Sequence, residues 1–264
     1  MAGATICFPW LNVMKRPSDD VLDPVAAYDR VAPFFSEISQ TRRSYLESID
    51  QLTLARIPSG SRSLLDVGAG DGKRALQIAG RARLDDIVLL EPSAKMMKVA
   101  GGSARIWKVR AEELELKGFG PEERDRQFDV ITCLWNVLGH IRPATTRVLV
   151  LGQLGRLLSA NGVLFLDVNH RYNVRSYGLL RTTARFLYDQ LWPGESNGDV
   201  TVTWNFGDLG CRTRGHVFTD REVRQLAMEA DMVVSERVVV DYDTGEVKQR
   251  GWEGNLFYVF RRRA

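Results

Sequence analysis

The chain is poor in cysteine, with three thiols in 264 residues, at Cys7, Cys133 and Cys211. Three widely separated thiols form neither a zinc-ligand spacing nor an even disulfide framework, so a reducing, cytoplasmic setting is expected. Long apolar runs are missing too, and none approaches the roughly 18 residues of a membrane span. Residues 1–11 lack a basic stretch followed by an apolar one, so no secretion signal is expected. Charge of one sign is also lacking. Lys plus Arg number 36 and Asp plus Glu 33, a formal net charge of +3, which gives no bulk argument for nucleic-acid binding. Internal repeats and low-complexity tracts are absent. What remains is ordinary globular composition, 44% hydrophobic and 26% charged, in a chain long enough to bury a sizeable core.

The first twenty residues mix Pro9 and Pro17 with polar positions and read as a surface segment. From residue 24 to about residue 56, Phe34, Phe35, Ile38, Tyr45, Leu46, Ile49, Leu52 and Leu54 recur at helical intervals. Pro58-Ser59-Gly60 ends that run. Short apolar stretches at 63–67, 87–90, 104–109, 128–134 and 163–168 then alternate with helical stretches at 74–82, 94–100 and 145–158. Asn161-Gly162 is read as the turn that introduces the last of these strands. Continuous apolar strands separated by helices call for a parallel sheet covered on both faces. After Asn169 the alternation stops. Residues 173–190 read as helix, and 199–206 with 211–218 as a hairpin. Thr219, with Glu222 three residues on, caps a helix to Ala230, and two strands follow at 233–242 and 256–261. The expected fold is α/β and doubly wound, a mostly parallel sheet of about seven strands with an antiparallel C-terminal strand. Residues 1–60 form an N-terminal helical cover and 61–264 the main domain, with a helix-plus-hairpin insertion near 170–218.

The strongest local signal is Asp66-Val67-Gly68-Ala69-Gly70-Asp71-Gly72, placed between a strand and a helix. Glycines let the backbone turn sharply and let a ligand approach peptide groups. The loop stands at the carboxyl edge of the sheet, where open α/β folds bind ligands. Three nucleotide readings compete for it. A Walker loop ends in Gly-Lys-Ser/Thr, but Gly72-Lys73-Arg74 has no hydroxyl for magnesium. The dinucleotide fingerprint G-x-G-x-x-G is one residue longer than Gly68-x-Gly70-x-Gly72, and Asp71 would oppose a pyrophosphate. A nucleoside without phosphates, carrying a cationic, zwitterionic tail, turns Asp66 and Asp71 into assets. Glu91, closing the second strand, can accept both hydroxyls of a ribose, which says nucleoside but not which one. Glu112 follows the third strand and could take an adenine amino group. Trp135 follows the fourth and borders the same crevice.

Asp66 to Gly72, Glu91-Pro92-Ser93, Ala111-Glu112 and Phe128-Asp129-Val130-Ile131, in that order, resemble the cofactor-binding core of class I (Rossmann-like) S-adenosylmethionine-dependent methyltransferases. The resemblance covers residues 63–168 and, more loosely, 219–261. It implies S-adenosylmethionine as cofactor, S-adenosylhomocysteine as product, and no metal. It assigns Asp66, Gly68, Ala69 and Gly70 to the methionine end. Glu91, with Pro92 and Ser93, falls at the ribose. Met96 and Ala111 lie by the adenine, and Glu112 near its amino group. Leu134 would offer its backbone to the methionine amine, and Trp135 completes the cofactor set.

In this family the cofactor carries the hard chemistry, and the protein aligns the reactants and excludes water. A hydroxyl acceptor benefits further from a positioned base. The histidines are His140, His170 and His216. His140 is the candidate base or acceptor-orienting residue, and reads equally as a structural residue closing its loop. Tyr28 on the helical cover, Asn169 and Tyr172 after the fifth strand, and His216 in the hairpin are candidate substrate-binding residues. Each has a plain alternative: core packing, a helix-entry turn, or strand pairing. Phe35 reads as core. Trp192, Trp204 and Phe206 would form either an acceptor wall or the insertion's own core. Signatures of nucleic-acid methylation are missing, since the fourth-strand slot reads Cys133-Leu134-Trp135-Asn136 and no proline precedes Cys133. An oxidoreductase's Tyr-x-x-x-Lys after the fifth strand is also missing. The expected function is methyl transfer to an oxygen or nitrogen of a small molecule, without membrane or nucleic-acid partners. RNA or protein methylation, or a non-catalytic cofactor-binding module of the same fold, are the alternatives, and oligomeric state is left open.

Overall fold

The computed structural model describes residues 3–7, 21–97, 104–114, 126–206 and 209–263. In chain order the elements begin with β1 (Gly3–Cys7), β2 (Val21–Leu22), α1 (Pro24–Val31), α2 (Phe35–Thr41) and α3 (Arg43–Leu54). The alternating part follows as β3 (Ser63–Val67), α4 (Lys73–Ala82), β4 (Asp86–Leu90), α5 (Ala94–Met97), β5 (Arg105–Trp107), β6 (Phe128–Cys133), α6 (Ala144–Leu157) and β7 (Leu158–Val168). Then come α7 (Val174–Tyr177), α8 (Leu179–Leu191), β8 (Asp199–Phe206), β9 (Leu209–His216), α9 (Asp220–Glu229), β10 (Met232–Val240), β11 (Val247–Lys248) and β12 (Asn255–Arg262).

The main sheet has eight strands in the order β11-β10-β12-β7-β6-β3-β4-β5. From β7 to β5 neighbouring strands are parallel, while β12 runs antiparallel to both β7 and β10. Successive side chains leave a strand on opposite faces, and the core divides accordingly. Leu65, Val67, Val88, Leu90, Leu164, Leu166, Tyr258 and Phe260 pack with α6 and α9 on one face. Leu64, Leu89, Val163, Phe165, Phe257 and Val259 pack with α3 and α4 on the other. Burial on both faces is why these strands read as unbroken apolar runs rather than alternating ones.

A smaller sheet, ordered β1-β8-β9-β2, is built around the hairpin. Val200, Val202, Trp204 and Cys211 from it form a third core with Ala27 and Val31 of α1 and Ile38 of α2. Trp204 thus belongs to that core, and Trp192 is exposed. Here the structure departs from the sequence expectation. Gly3–Cys7 is a strand rather than a surface segment, because β8 offers its open edge and pairs from Gly3↔Asn205 to Cys7↔Thr201. Long-range edge pairing of this kind leaves no local pattern to read.

Three helices share the N-terminal run, separated by a 3-10 turn at Ala32–Phe34 and a non-helical Arg42. Gly178, at φ 81, splits the next expected helix into α7 and α8. Strand β7 starts ahead of Asn161-Gly162: Leu158 pairs with Phe128 and Val163 with Val130, so the turn-like pair sits inside an irregular strand. The far end of the helix expected at 94–100 lies outside the described residues.

Candidate active site

Strand order reverses between β3 and β6, since the chain proceeds outward from β3 to β4 and β5 and then returns to place β6 and β7 on the other side. Such a switch point leaves a crevice at the carboxyl ends of the strands. A crevice opens there, about 790 Å³ with the solvent at its mouth included. Its floor is Val67, Gly68 and Gly70 after β3, Leu90 to Pro92 after β4, and Leu134 and Trp135 after β6. Met96, Ala111 and Glu112 form one side and Val137, His140 and Ile141 another. Pro24, Val25 and Tyr28 of α1 and Phe35 of α2 supply the cover.

The glycine loop has the conformation its composition suggests. Gly68, Gly70 and Gly72 have φ of 70°, 57° and 70°, in the left-handed region that side chains disfavour. At Gly68 space is forbidding as well, for a Cβ would stand 2.6 Å from Val137 Cγ2. Glu91 locks the loop to the next strand. Its Oε2 accepts the Gly70 N–H at 2.9 Å and its Oε1 the Ser93 N–H at 2.8 Å. Burial pushes the Glu91 carboxyl up to about 7, against the pull of those two backbone donors, and the nearby Asp66 adds to the rise. Asp66 accepts from Thr132 Oγ1 at 2.6 Å and is itself raised to about 6 by burial. Two carboxylates raised by burial thus flank a loop whose Gly68 and Ala69 N–H groups are already held by the Leu90 carbonyl. That pair suits a cation and a polyhydroxyl and repels a diphosphate.

Trp135 takes a left-handed φ of 60° and is held by Asp167, which accepts its backbone N–H and, at 2.6 Å, the Tyr45 hydroxyl. Its ring stands 5.7 Å from that of Phe35. His140 lies across the cavity from the loop. Its Nδ1 faces the Arg214 carbonyl at 3.1 Å, so Nδ1 carries the hydrogen and donates. Nε2 is then an acceptor, and it takes the Tyr28 hydroxyl hydrogen at 3.1 Å. Burial holds His140 below the ordinary histidine value, so the ring is neutral at physiological pH with its lone pair on Nε2.

Of the candidate cofactor residues, Gly68, Gly70, Glu91, Pro92, Met96, Ala111, Glu112, Leu134 and Trp135 line this cavity, as do Tyr28 and His140. Asp66 and Ala69 line an adjoining hollow, which shares Phe35, Gly68, Leu134 and Trp135 with the cavity and also borders Asp50 and Arg74. Ser93 faces neither, being fully buried with its hydroxyl donating to Asp29 at 2.5 Å.

Three candidate substrate residues are placed elsewhere. Asn169 accepts from Asn255 Nδ2 at 2.9 Å in the β7–β12 connection. The Tyr172 hydroxyl donates to Asp189 at 2.7 Å and lines a separate pocket against α8. His216 is fully buried between Asp199 and Glu222, 2.9 and 2.6 Å from its two ring nitrogens. For each, strand-end or hairpin position pointed to the crevice, but the Asn169 side chain turns to the start of β12, and those of Tyr172 and His216 into the packing around α8, α9 and the hairpin. Phe35 lines the cavity instead of joining the core alone, and Arg110, Pro24, Val25, Val137 and Ile141 were not singled out from sequence. Their only signal was proximity to motifs already read. Arg74 was missed too. It donates to Asp50 at 2.6 Å while its buried Nη2 has no hydrogen-bond partner.

Comparison with known proteins agrees with this geometry. Residues 65–164 match the Methyltransferase domain family. No curated protein sequence matches the chain. Among solved structures, the CcbJ methyltransferase of Streptomyces caelestis aligns with a TM-score of 0.66 at 13% identity, covering 90% of this chain and 98% of that one. The sugar N-methyltransferase KedS8 of Streptoalloteichus gives 0.58 at 16% identity, over 96% of this chain and 98% of that one. CalS10 of Micromonospora echinaspora, an amino pentose methyltransferase solved with bound S-adenosylmethionine, gives 0.53 at 16%, over 88% and 95%. At such identities the structural likeness speaks for the fold, and the family match speaks for the domain. Residues 65–164 thus carry a methyltransferase domain, and the fold around them is the one seen in S-adenosylmethionine-dependent methyltransferases of known structure.

Proposed function

We propose that the protein methylates an oxygen or nitrogen of a small molecule, with His140 at the point of transfer. The observation that carries this reading is the Tyr28–His140 pair, a neutral imidazole whose Nε2 lone pair faces the covered cavity and is met by a single hydroxyl. In the same reading the Glu91 carboxylate receives the ribose hydroxyls on its remaining lone pairs. Met96 and Ala111 bracket the adenine, with Glu112 at its amino group. Leu134 and the glycine loop guide the amino-acid end toward the adjoining hollow, where Asp66 meets its ammonium and Arg74 Nη2 its carboxylate. The residues fit the group, since the buried Glu91 and Asp66 carboxyls border the crevice and Arg74 has a buried Nη2 without a hydrogen-bond partner beside them.

When bound, S-adenosylmethionine would supply an electrophilic methyl on its sulfonium. The chain's share is alignment, dryness and a proton acceptor. Cover from α1 and α2 keeps water from the transfer path. Tyr28 yields Nε2 to the acceptor's O–H or N–H, and Nε2 takes that proton while Nδ1–H stays on the Arg214 carbonyl. The likeness in fold to the sugar and amino pentose methyltransferases is compatible with a polar acceptor of small size.

The test is methyl transfer from labelled cofactor to a metabolite extract. His140→Ala should lower turnover by about 10²-fold, the size of a lost general base, while cofactor affinity by calorimetry stays the same. An equal loss in both would make His140 a structural residue, and transfer to RNA or protein alone would overturn the small-molecule reading.

A further inference from the structure

Next to the cofactor cavity lies a second pocket of about 730 Å³, and the two share Pro24, Arg110, Glu112 and His140. His140 therefore stands between them. The rest of the second pocket comes from β2 and the turn after it, with Arg142 and Arg214 opposite. Its two carboxylates are already matched. Arg110 Nη2 donates to Asp23 at 2.5 Å, and its Nη1 stands 3.8 Å from Glu112. Arg142 donates to Asp199 at 2.6 Å. Arg214 is exposed, and among the described residues no carboxylate lies within ion-pair distance of it.

Strand register places its side chain. Asp199 pairs with His216 and Thr201 with Arg214 across the hairpin. Residues two apart share a face, so the Arg214 side chain leaves the hairpin on the Asp199 face, where Arg142 is held. The Arg214 carbonyl is meanwhile fixed on His140 Nδ1 at 3.1 Å. An uncommitted guanidinium is thus carried by the very residue that orients the candidate base.

We propose that this pocket seats the acceptor and selects an anionic one. A carboxylate or phosphate of the acceptor sits on Arg214, and its nucleophilic atom reaches toward His140. A guanidinium fork fits either oxyanion. A cationic acceptor would find both wall carboxylates taken by Arg110. The proposal rests on the methyltransferase reading with His140 at the transfer point and adds the charge class of the substrate.

The test uses the full chain saturated with S-adenosylhomocysteine at constant ionic strength. Benzoate, inorganic phosphate, neutral benzamide and benzylammonium are titrated in turn, and the ring resonances of the three histidines are followed. Benzoate or phosphate should shift His140 saturably, and benzamide and benzylammonium should not. Whichever anion binds tighter names the oxyanion, and either preference supports the proposal. Arg214→Gln should weaken anion binding by about fivefold, as for a lost exposed ion pair. Arg214→Lys should restore part of it, with S-adenosylhomocysteine affinity unchanged in both. Equal binding of benzamide, an unaltered Arg214→Gln, or no saturable shift would leave Arg214 a solvated surface cation and overturn the proposal. Failure of S-adenosylhomocysteine itself to bind would overturn the methyltransferase reading first.

Discussion

At Glu91 two demands meet in one carboxylate. It holds the Gly70 and Ser93 peptides, and it is the residue proposed to receive the ribose. Burial raises its carboxyl to about 7 from the usual 4.5. A carboxyl raised on folding adds stability that is complete below its unfolded value and is lost as pH climbs through about 7. Binding has the opposite sign, because hydroxyl donors favour the ionised form. Cofactor affinity should therefore rise with pH up to about 7 and level off above it, as measured by calorimetry across that range. Glu91→Gln should flatten the profile and weaken affinity by about 1.5–3 kcal/mol, the worth of hydrogen bonds to a charged group. A wild-type profile without an inflection near neutrality would remove Glu91 from the ribose. Glu91 was legible in sequence, because a strand-end acid after a glycine loop has few other uses. The Tyr28–His140 bond was not, because its partners are 112 residues apart and meet only when α1 covers the sheet.

Among the elements, α9 shows how one side chain can serve a local and a distant purpose. Thr219 and Glu222 form the capping box expected from their spacing. Glu222 also accepts from Arg171 Nη2 at 2.7 Å and faces His216 at 2.6 Å, which ties α9 to the chain after β7 and to the hairpin. Thr219→Ala should cost about 1 kcal/mol in urea denaturation, the ordinary worth of an N-cap. Glu222→Ala should cost about 3 kcal/mol or more, since it strips a carboxylate from a buried guanidinium and imidazole. Equal costs would show that the cap alone matters. The box could be read from four consecutive residues, whereas the network could not. Arg171, Asp189, His216 and Glu222 come from separate stretches whose spacing follows no period. For the same reason His216 and Tyr172 were expected at the crevice and lie in packing instead.

For the molecule as a whole, a ligand that binds only the folded state stabilises it by mass action. S-adenosylhomocysteine at about 100 times its dissociation constant should add about 2.7 kcal/mol and raise Tm by several degrees. A dinucleotide at the same excess should leave Tm unchanged, because Asp66 and Glu91 present charge of the wrong sign to a diphosphate. Differential scanning calorimetry checks both, and stabilisation by the dinucleotide alone would overturn the proposed methyltransferase function.

The sequence by itself determined the parallel core, the glycine loop and the acidic residues at the strand ends. Each is encoded within a few consecutive residues by apolar run length, by glycine's access to positive φ, or by position just after a strand. Only the tertiary structure decided that Gly3–Cys7 would join the hairpin, that Phe35 and Arg110 would line the cavity, and that Asn169 would not. Those outcomes depend on which surfaces remain open once the sheet is assembled, and contacts between residues a hundred or more positions apart leave no periodic trace in the chain.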